Sequence, residues 1–332
     1  MTRLKMTMAI SDYAHTVDLV AGRIQPVGIA LNILSYSFER VGLRFAQSRE
    51  FDIAEFSFAG YCAHLANSDR PDLVAFPVFP SRVFRQSAFY VNGESGIADV
   101  GDLAGKRIGL PQWSQTATVY AKGYLQHQAK VPLDSVDWVQ AGVNSPGRKE
   151  GVALRLPAGV KLRTEPARSL SDMLACGDLD AVISARPPDS YLQGHPSVRR
   201  LFADPRAAEE AYFRQTGIFP IMHIMVVRRD LFEANRWILR NLMDAFEEAK
   251  RNALRAMDEI TTSYLPIAWG PEEMRRLNSV VFGDGEIWPY GLTRNRATID
   301  AFLGYCHEQG VTHRRLAPED LFPQECLQDV VI

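Results

Sequence analysis

Hydrophobic and polar positions fall into short alternating runs broken by turn residues. Leu4 to Ile10 alternates well enough for a first strand and ends in the polar cluster Ser11-Asp12-Tyr13, at the strand end where open α/β sheets bind ligands. Phe51 to Ser57 predicts a short strand running into a helix, with Ser57 as N-cap for Phe58 to Ala66. Asp72 to Phe79 is an apolar strand closed by Pro80-Ser81, and Ala88 to Val91 resumes strand character.

From Val100 the pattern restarts. A turn, Asp102 to Arg107, feeds the strand Ile108-Gly109-Leu110, and Ser114-Gln115-Thr116 caps a helix from about Ala117 to Ala129. Trp138-Val139 is a short strand, Ser145-Pro146-Gly147-Arg148 a loop, and Ser169 to Cys176 a helix closed by Gly177. Asp180 to Ala185 is an apolar strand that stops at Arg186-Pro187-Pro188, and Ile218 to Val227 is another despite Pro220. The longest helical period spans about Ala234 to Asp258, with Trp237, Ile238, Leu242, Phe246, Ala249 and Leu254 as its apolar stripe. Shorter helices follow, near Pro271 to Ser279 and Asn295 to Glu308. Strands interleaved with helices predict an α/β protein with mostly parallel sheets. The restart near residue 85 and the return near residue 205 predict a discontinuous first lobe, residues 1–84 with 205–332, an inserted second lobe, residues 85–204, and a ligand cleft between them.

Composition narrows the function. The 332 residues carry 37 Lys+Arg against 39 Asp+Glu, a formal charge of −2, with no long basic run; a nucleic-acid face is not expected. No stretch has the roughly 18–20 apolar residues of a membrane helix. Met1 to Ile10 is followed at once by Ser11 and Asp12, which leaves no apolar core of a secretion signal, so a cytoplasmic protein without membrane contact is expected. Cys62, Cys176, Cys306 and Cys326 are scattered and suit a reducing compartment as small buried hydrophobes.

Familiar catalytic motifs fail. Gly101 to Arg107 has neither the spacing nor the Ser/Thr of a phosphate loop, and no Gly-x-Gly-x-x-Gly follows a strand. His307-Glu308 lacks the second His of a zinc-protease helix, because Val311 stands there, and no Gly-x-Ser-x-Gly elbow occurs.

Three segments carry a resemblance: Val78-Phe79-Pro80-Ser81-Arg82-Val83-Phe84-Arg85, Thr216-Gly217-Ile218-Phe219-Pro220-Ile221-Met222-His223 and Trp288-Pro289-Tyr290-Gly291-Leu292. Supporting stretches are Glu50 to Glu55, Gly147 to Glu150, Asp180-Ala181 through Arg186-Pro187, and the tail from Glu308 to Phe322. From Ser11 to Phe322 the chain resembles the 4,5-dihydroxyphthalate decarboxylases, a family with the type 2 periplasmic binding-protein fold. Asp102 to Leu110 and Asp180-Ala181 are common to many solute-binding proteins of that fold. Pro-Ser-Arg-x-Phe-Arg and Phe-Pro-Ile-Met-His point to the decarboxylase branch. Ala14 stands where the family usually has an acidic residue and Gln86 where a His often follows the second Arg; both fall beside the expected cleft and bear on substrate identity.

The resemblance implies that a small aromatic dicarboxylate, 4,5-dihydroxyphthalate, loses one carboxylate to give 3,4-dihydroxybenzoate and CO2 without an organic cofactor, a step of aromatic (phthalate) catabolism. Direct loss of CO2 would leave an aryl carbanion, so the easier route protonates the carboxylate-bearing carbon with the para hydroxyl as electron donor. That route needs a general acid, a group that polarises the phenol, a cationic clamp for the retained carboxylate and an apolar wall beside the leaving one.

His223 is the expected acid, since imidazole titrates near neutral pH; on a strand it could equally sit in an ordinary hydrogen bond. Arg82, Arg85 and Arg186 are the expected carboxylate clamps, with a surface ion pair as the alternative for each. Glu55 and Tyr13 are expected to accept from the catechol hydroxyls, unless Glu55 merely caps the following helix. Ser114, Gln115 and Thr116 open a helix whose N-terminus favours anions, and Trp288 and Tyr290 are expected to form the aromatic wall, or else a packed corner. No metal-ligand spacing is present, although His64, Glu55 and His223 could converge in the fold. A non-catalytic solute-binding protein for a transporter, a lyase for another aromatic acid, and a ligand-sensing module are the competing readings. A homo-oligomer is the expected assembly.

Overall fold

A computed structural model describes residues 2–283 and 285–327. In chain order the strands are β1 (Leu4–Ile10), β2 (Ile29–Ser35), β3 (Ile53–Ser57), β4 (Leu73–Arg82), β5 (Phe89–Asn92), β6 (Arg107–Leu110), β7 (Asp137–Gln140), β8 (Lys161–Thr164), β9 (Ala181–Ile183), β10 (Val198–Arg200) and β11 (Ile221–Arg228). They form two mixed sheets, β2-β1-β3-β11-β4 and β10-β5-β9-β6-β7-β8. In the first, β1 runs parallel to β2 and β3, while β11 is antiparallel to β3 and β4. In the second, β9, β6, β7 and β8 are parallel and β5 is antiparallel to β9. The first sheet thus takes its strands from Leu4–Arg82 and Ile221–Arg228, and the second from Phe89–Arg200.

Prolines shape the strand beside the site. β4 contains Pro77 and Pro80, which cannot donate to a ladder, and the β4–β11 register jumps on both sides of His223: Ile221 faces Arg82, His223 faces Ser81 and Met225 faces Phe76. The carbonyls freed by this bulge find other donors, Gly291 N–H on Pro77 O at 2.9 Å and the Trp288 indole on Phe79 O at 3.1 Å. Bulges of this kind re-aim side chains, and His223 is the half-buried residue between buried Met222 and Ile224.

Helices cover the sheets. Ser57 caps Phe58–Asn67 by accepting from Gly60 N–H, and Gly177 at φ +81° follows Leu170–Ala175 as a closing left-handed residue. Phe38–Ser48 and Pro205–Thr216 are two further helices; the first is amphipathic with Val41 and Phe45 buried, and the second is largely polar. The long helical period is interrupted: Arg229–Ala234 ends at Asn235, and Ile238–Asp258 starts afresh. Trp237 therefore lies outside the buried stripe and is 45% exposed. All four cysteines are free thiols, and Cys176 is exposed rather than buried. Among the described residues, no helix is long and apolar enough to cross a membrane.

Candidate active site

The cleft between the sheets begins with two strands that expose polar atoms at adjacent ends. In the antiparallel β3–β11 pair His223 faces Ser57 and Met225 faces Glu55, so Glu55 and His223 are diagonal neighbours on one face. Nδ1 of His223 lies 2.5 Å from Oε1 of Glu55. The Tyr13 hydroxyl donates to the same oxygen at 2.5 Å, and the backbone N–H of Ser11 donates to Oε2 at 2.8 Å. β1 lies beside β3 in parallel, so the segment after Ile10 reaches the carboxylate.

Glu55 is 0% exposed. Burial pushes its carboxyl upward, but the hydrogen bond and charge of His223, with the donors Tyr13 and Ser11, outweigh it and hold the group below the usual carboxylate range. Tyr13 is pushed well above its ordinary value by burial and by the adjacent Glu55 charge, so it stays a neutral donor. Glu55 is consequently occupied on both oxygens. Its expected role, and that of Tyr13, as acceptors for substrate hydroxyls is replaced by another: Glu55 fixes the tautomer and direction of His223, leaving Nε2 for a reacting partner. The Phe38 ring stacks on the imidazole, centroids 3.6 Å apart and 13° from parallel.

His223 opens on a cleft of about 670 Å³. Gln115, Thr116 and Ala117 bring a helix N-terminus to its wall, Arg148 follows the Gly142–Gly147 turn, and Ser184 and Arg186 follow β9. The turn is tight, since a Cβ on Gly142 would collide with the Ser145 carbonyl. It is anchored to its neighbours through Leu170 N–H on Gly142 O and Ser171 N–H on Val143 O.

Of the expected arginine clamps, Arg85 lines this cleft and has no carboxylate within ion-pair distance among the described residues. Its Nε and Nη2 point at the Met222 thioether, 3.2 and 2.6 Å away, a weak acceptor. Burial lowers its guanidinium to about 10. Arg186 also lines the cleft, where it pairs at 2.7 Å with Glu39 from the helix Phe38–Ser48. Arg148, unassigned from sequence although it lies in a segment carrying the resemblance, donates to Gln112 at 2.7 Å and faces the same space.

Other expected site residues lie elsewhere. Arg82 is 4% exposed and donates to Phe219 O, Pro289 O and Asn295; it ties β4 to the Trp288–Asn295 segment and is not a clamp. Trp288 and Tyr290 do not form the aromatic wall either. Trp288 satisfies the β4 bulge, and Tyr290 borders another cavity of similar volume with Glu247 and Arg251. The cleft is lined by both His223 and Phe38, whose ring stacks on the imidazole. Ser114 is buried, its hydroxyl and N–H held by Glu150, so it is not available to a ligand. Thr116 borders the cleft, but its hydroxyl is engaged by Ser57 and by Ala59 N–H. Gln86 is buried away from the cleft, against Tyr120 and Tyr212, so its difference from the family pattern does not reach the ligand space; Ala14 does not line the cleft either.

The proposed convergence of His64 with Glu55 and His223 does not occur, since His64 pairs with Asp72 at 2.9 Å. Among the described residues no three His, Cys, Asp or Glu side chains group as a metal site.

Two mixed α/β sheets around a cleft, lined by a carboxylate-held imidazole and by arginines, define a binding-protein-like fold. Solved structures share that fold: a sulfonate-binding protein SsuA of Methylobacillus flagellatus (TM-score 0.55, 16% identity, 98% of this chain and 93% of that one) and the aliphatic sulphonate-binding SsuA of Escherichia coli (0.54, 13%, 97% and 93%). A desulfurization enzyme, DSZB, has it too (0.50, 18%, 98% of both chains). No family model matches the chain. A 4,5-dihydroxyphthalate decarboxylase of Comamonas testosteroni is 34% identical over 333 residues, covering 100% of both proteins, and one of Pseudomonas putida is 36% identical over 215 residues, 64% of this chain and 83% of that protein. The chain belongs to the 4,5-dihydroxyphthalate decarboxylase family.

Proposed function

We propose that the protein is a carboxy-lyase that converts 4,5-dihydroxyphthalate to 3,4-dihydroxybenzoate and CO2 without an organic cofactor, working in the cytoplasm. The observation that carries this reading is the meeting, in one cleft, of a Glu55-oriented His223 and the half-buried Arg85, which lacks a carboxylate in ion-pair contact among the described residues. A partly desolvated guanidinium with no carboxylate in contact gains from an added anion, and a substrate carboxylate is the anion that would supply it. Arg148 and the helix N-terminus at Thr116–Ala117 supply further positive potential for a dianion, which reconciles local attraction with a near-neutral chain.

In this mechanism Nε2–H of His223 delivers its proton to the ring carbon bearing one carboxylate. The ring, relieved of aromaticity, then takes back the electron pair of the C–C bond as CO2 departs. Glu55 stabilises the imidazolium through Nδ1–H, and Tyr13 and Ser11 N–H hold Glu55 in place. Phe38, Met222 and Pro111 give the leaving carboxylate an apolar surround, which favours its discharge as neutral CO2. The two sheets would move as lobes, residues 1–84 with 205–332 against 85–204, to admit substrate, and Arg186–Glu39 would form a contact across the opening.

The test is CO2 release from 4,5-dihydroxyphthalate by the purified protein, with and without chelator. Stoichiometric release that His223→Gln abolishes supports the proposal. Tight binding without release would make the chain a solute receptor.

A further inference from the structure

With Glu55 and Tyr13 turned toward His223, one chemical role stays open: a partner for the catechol hydroxyls, which lie para to the two carboxylates. Two polar atoms on the opposite wall match it. Ser184 is 1% exposed, and its Oγ has no hydrogen-bond partner among the described residues; the same holds for buried Oε1 of Gln115. Both residues line the cleft. Topology puts them together, because Ser184 follows β9 and Gln115 lies in the segment after β6, and β6 and β9 are parallel neighbours whose C-terminal ends emerge side by side.

Unpaired buried polar atoms are few in folded proteins and each calls for an explanation. A phenolic hydroxyl both donates and accepts, so it suits an amide oxygen and a serine hydroxyl at once. The neighbouring arginines are suited to carboxylates rather than to neutral hydroxyls. We propose that Gln115 and Ser184 form a hydroxyl-recognition subsite, Gln115 Oε1 accepting from one catechol hydroxyl and Ser184 Oγ bonding the other. As the ring carbon accepts the His223 proton, electron density is drawn from the para hydroxyl and its O–H becomes more acidic. The hydrogen bond to the wall tightens, the hydroxyl keeps its proton, and CO2 loss restores the ring. Interactions that strengthen on the way to the transition state raise kcat as well as affinity. The catalytic half of this inference rests on the decarboxylase reading; the binding half does not.

The test compares the wild-type chain with Ser184→Ala, Gln115→Leu and the double variant, using 4,5-dihydroxyphthalate and its hydroxyl-free analogue phthalate. Binding is followed by titration calorimetry and turnover by CO2 release. In wild type the dihydroxy ligand binds at least about tenfold more tightly than phthalate, and the double variant loses about 10- to 100-fold in kcat/KM. Its affinity for phthalate stays within about twofold of wild type, which a damaged fold would not allow. Unchanged kcat/KM, or equal loss for both ligands, overturns the subsite. Should wild type bind without releasing CO2, the decarboxylase reading fails alone, and the ratio of the two dissociation constants still decides: a ratio that the double variant leaves unchanged overturns the subsite. Binding of neither ligand overturns both.

Discussion

Glu55 and His223 meet at 2.5 Å across the β3–β11 pair, one residue fully buried and the other 17% exposed to the cleft. Glu55 keeps its charge against burial, because His223, Tyr13 and Ser11 N–H hold it, and in the proposed mechanism the half-buried imidazole carries the proton. Glu55→Gln keeps the shape but removes the charge that stabilises an imidazolium. It should lower kcat by about 10²- to 10⁴-fold with little change in KM, and steady-state CO2 release measures both. A KM effect as large as the kcat effect would place Glu55 in substrate binding instead.

Arg85 carries a conflict between stability and function. Its guanidinium is half-buried against a thioether, so Arg85→Met should leave the empty protein at least about as stable as the wild type. The same change should weaken 4,5-dihydroxyphthalate binding by about 10- to 100-fold, the scale of a lost charge-assisted hydrogen bond. Urea unfolding and titration calorimetry on one preparation would show both effects; a destabilised variant with unaltered affinity would contradict them.

Arg82 should behave in the opposite way. Arg82→Ala leaves the carbonyls of Phe219 and Pro289 and the Asn295 side chain without their donor, and should cost about 2–4 kcal/mol of stability, counted from buried hydrogen bonds to a charged group. The folded fraction should keep its KM. A raised KM at native stability would return Arg82 to the clamp.

His15 should make stability fall in mild acid. Burial, reinforced by the Lys250 charge, lowers its imidazole from the ordinary value of 6.5 to about 4. Between those values the unfolded chain binds the proton and the folded one does not, so stability declines as pH drops from about 6.5 to about 4, by up to about 3 kcal/mol. Glu55 adds its own loss only at lower pH, as the medium falls through its depressed value. His15→Gln should flatten the upper part of this slope in urea unfolding at pH 4, 5.5 and 7. An unaltered slope would assign it to other groups.

Local pattern in the sequence determined the strand Leu4–Ile10, the Ser57 cap, the Gly177 stop and the placement of His223 on a strand, because each depends on neighbours only a few residues away. The resemblance carried Glu55, Arg85 and His223 as expected site residues, and the fold lines one cleft with Arg85 and His223 while burying Glu55 behind the imidazole. What tertiary structure alone decided was direction. Arg82 and Arg85 stand three apart in one segment, yet one points to buried carbonyls and the other to the cleft, since β4 ends between them and the prolines before it bulge the strand. Phe38 was hidden because an apolar residue opening an amphipathic helix reads as core and not as a stacking partner of a distant imidazole, and Ser184 because a lone serine after a short strand has no pattern. The near-neutral charge with which composition excluded polyanions holds for the whole chain; only packing shows which cations are cancelled by carboxylates and which are left for a ligand.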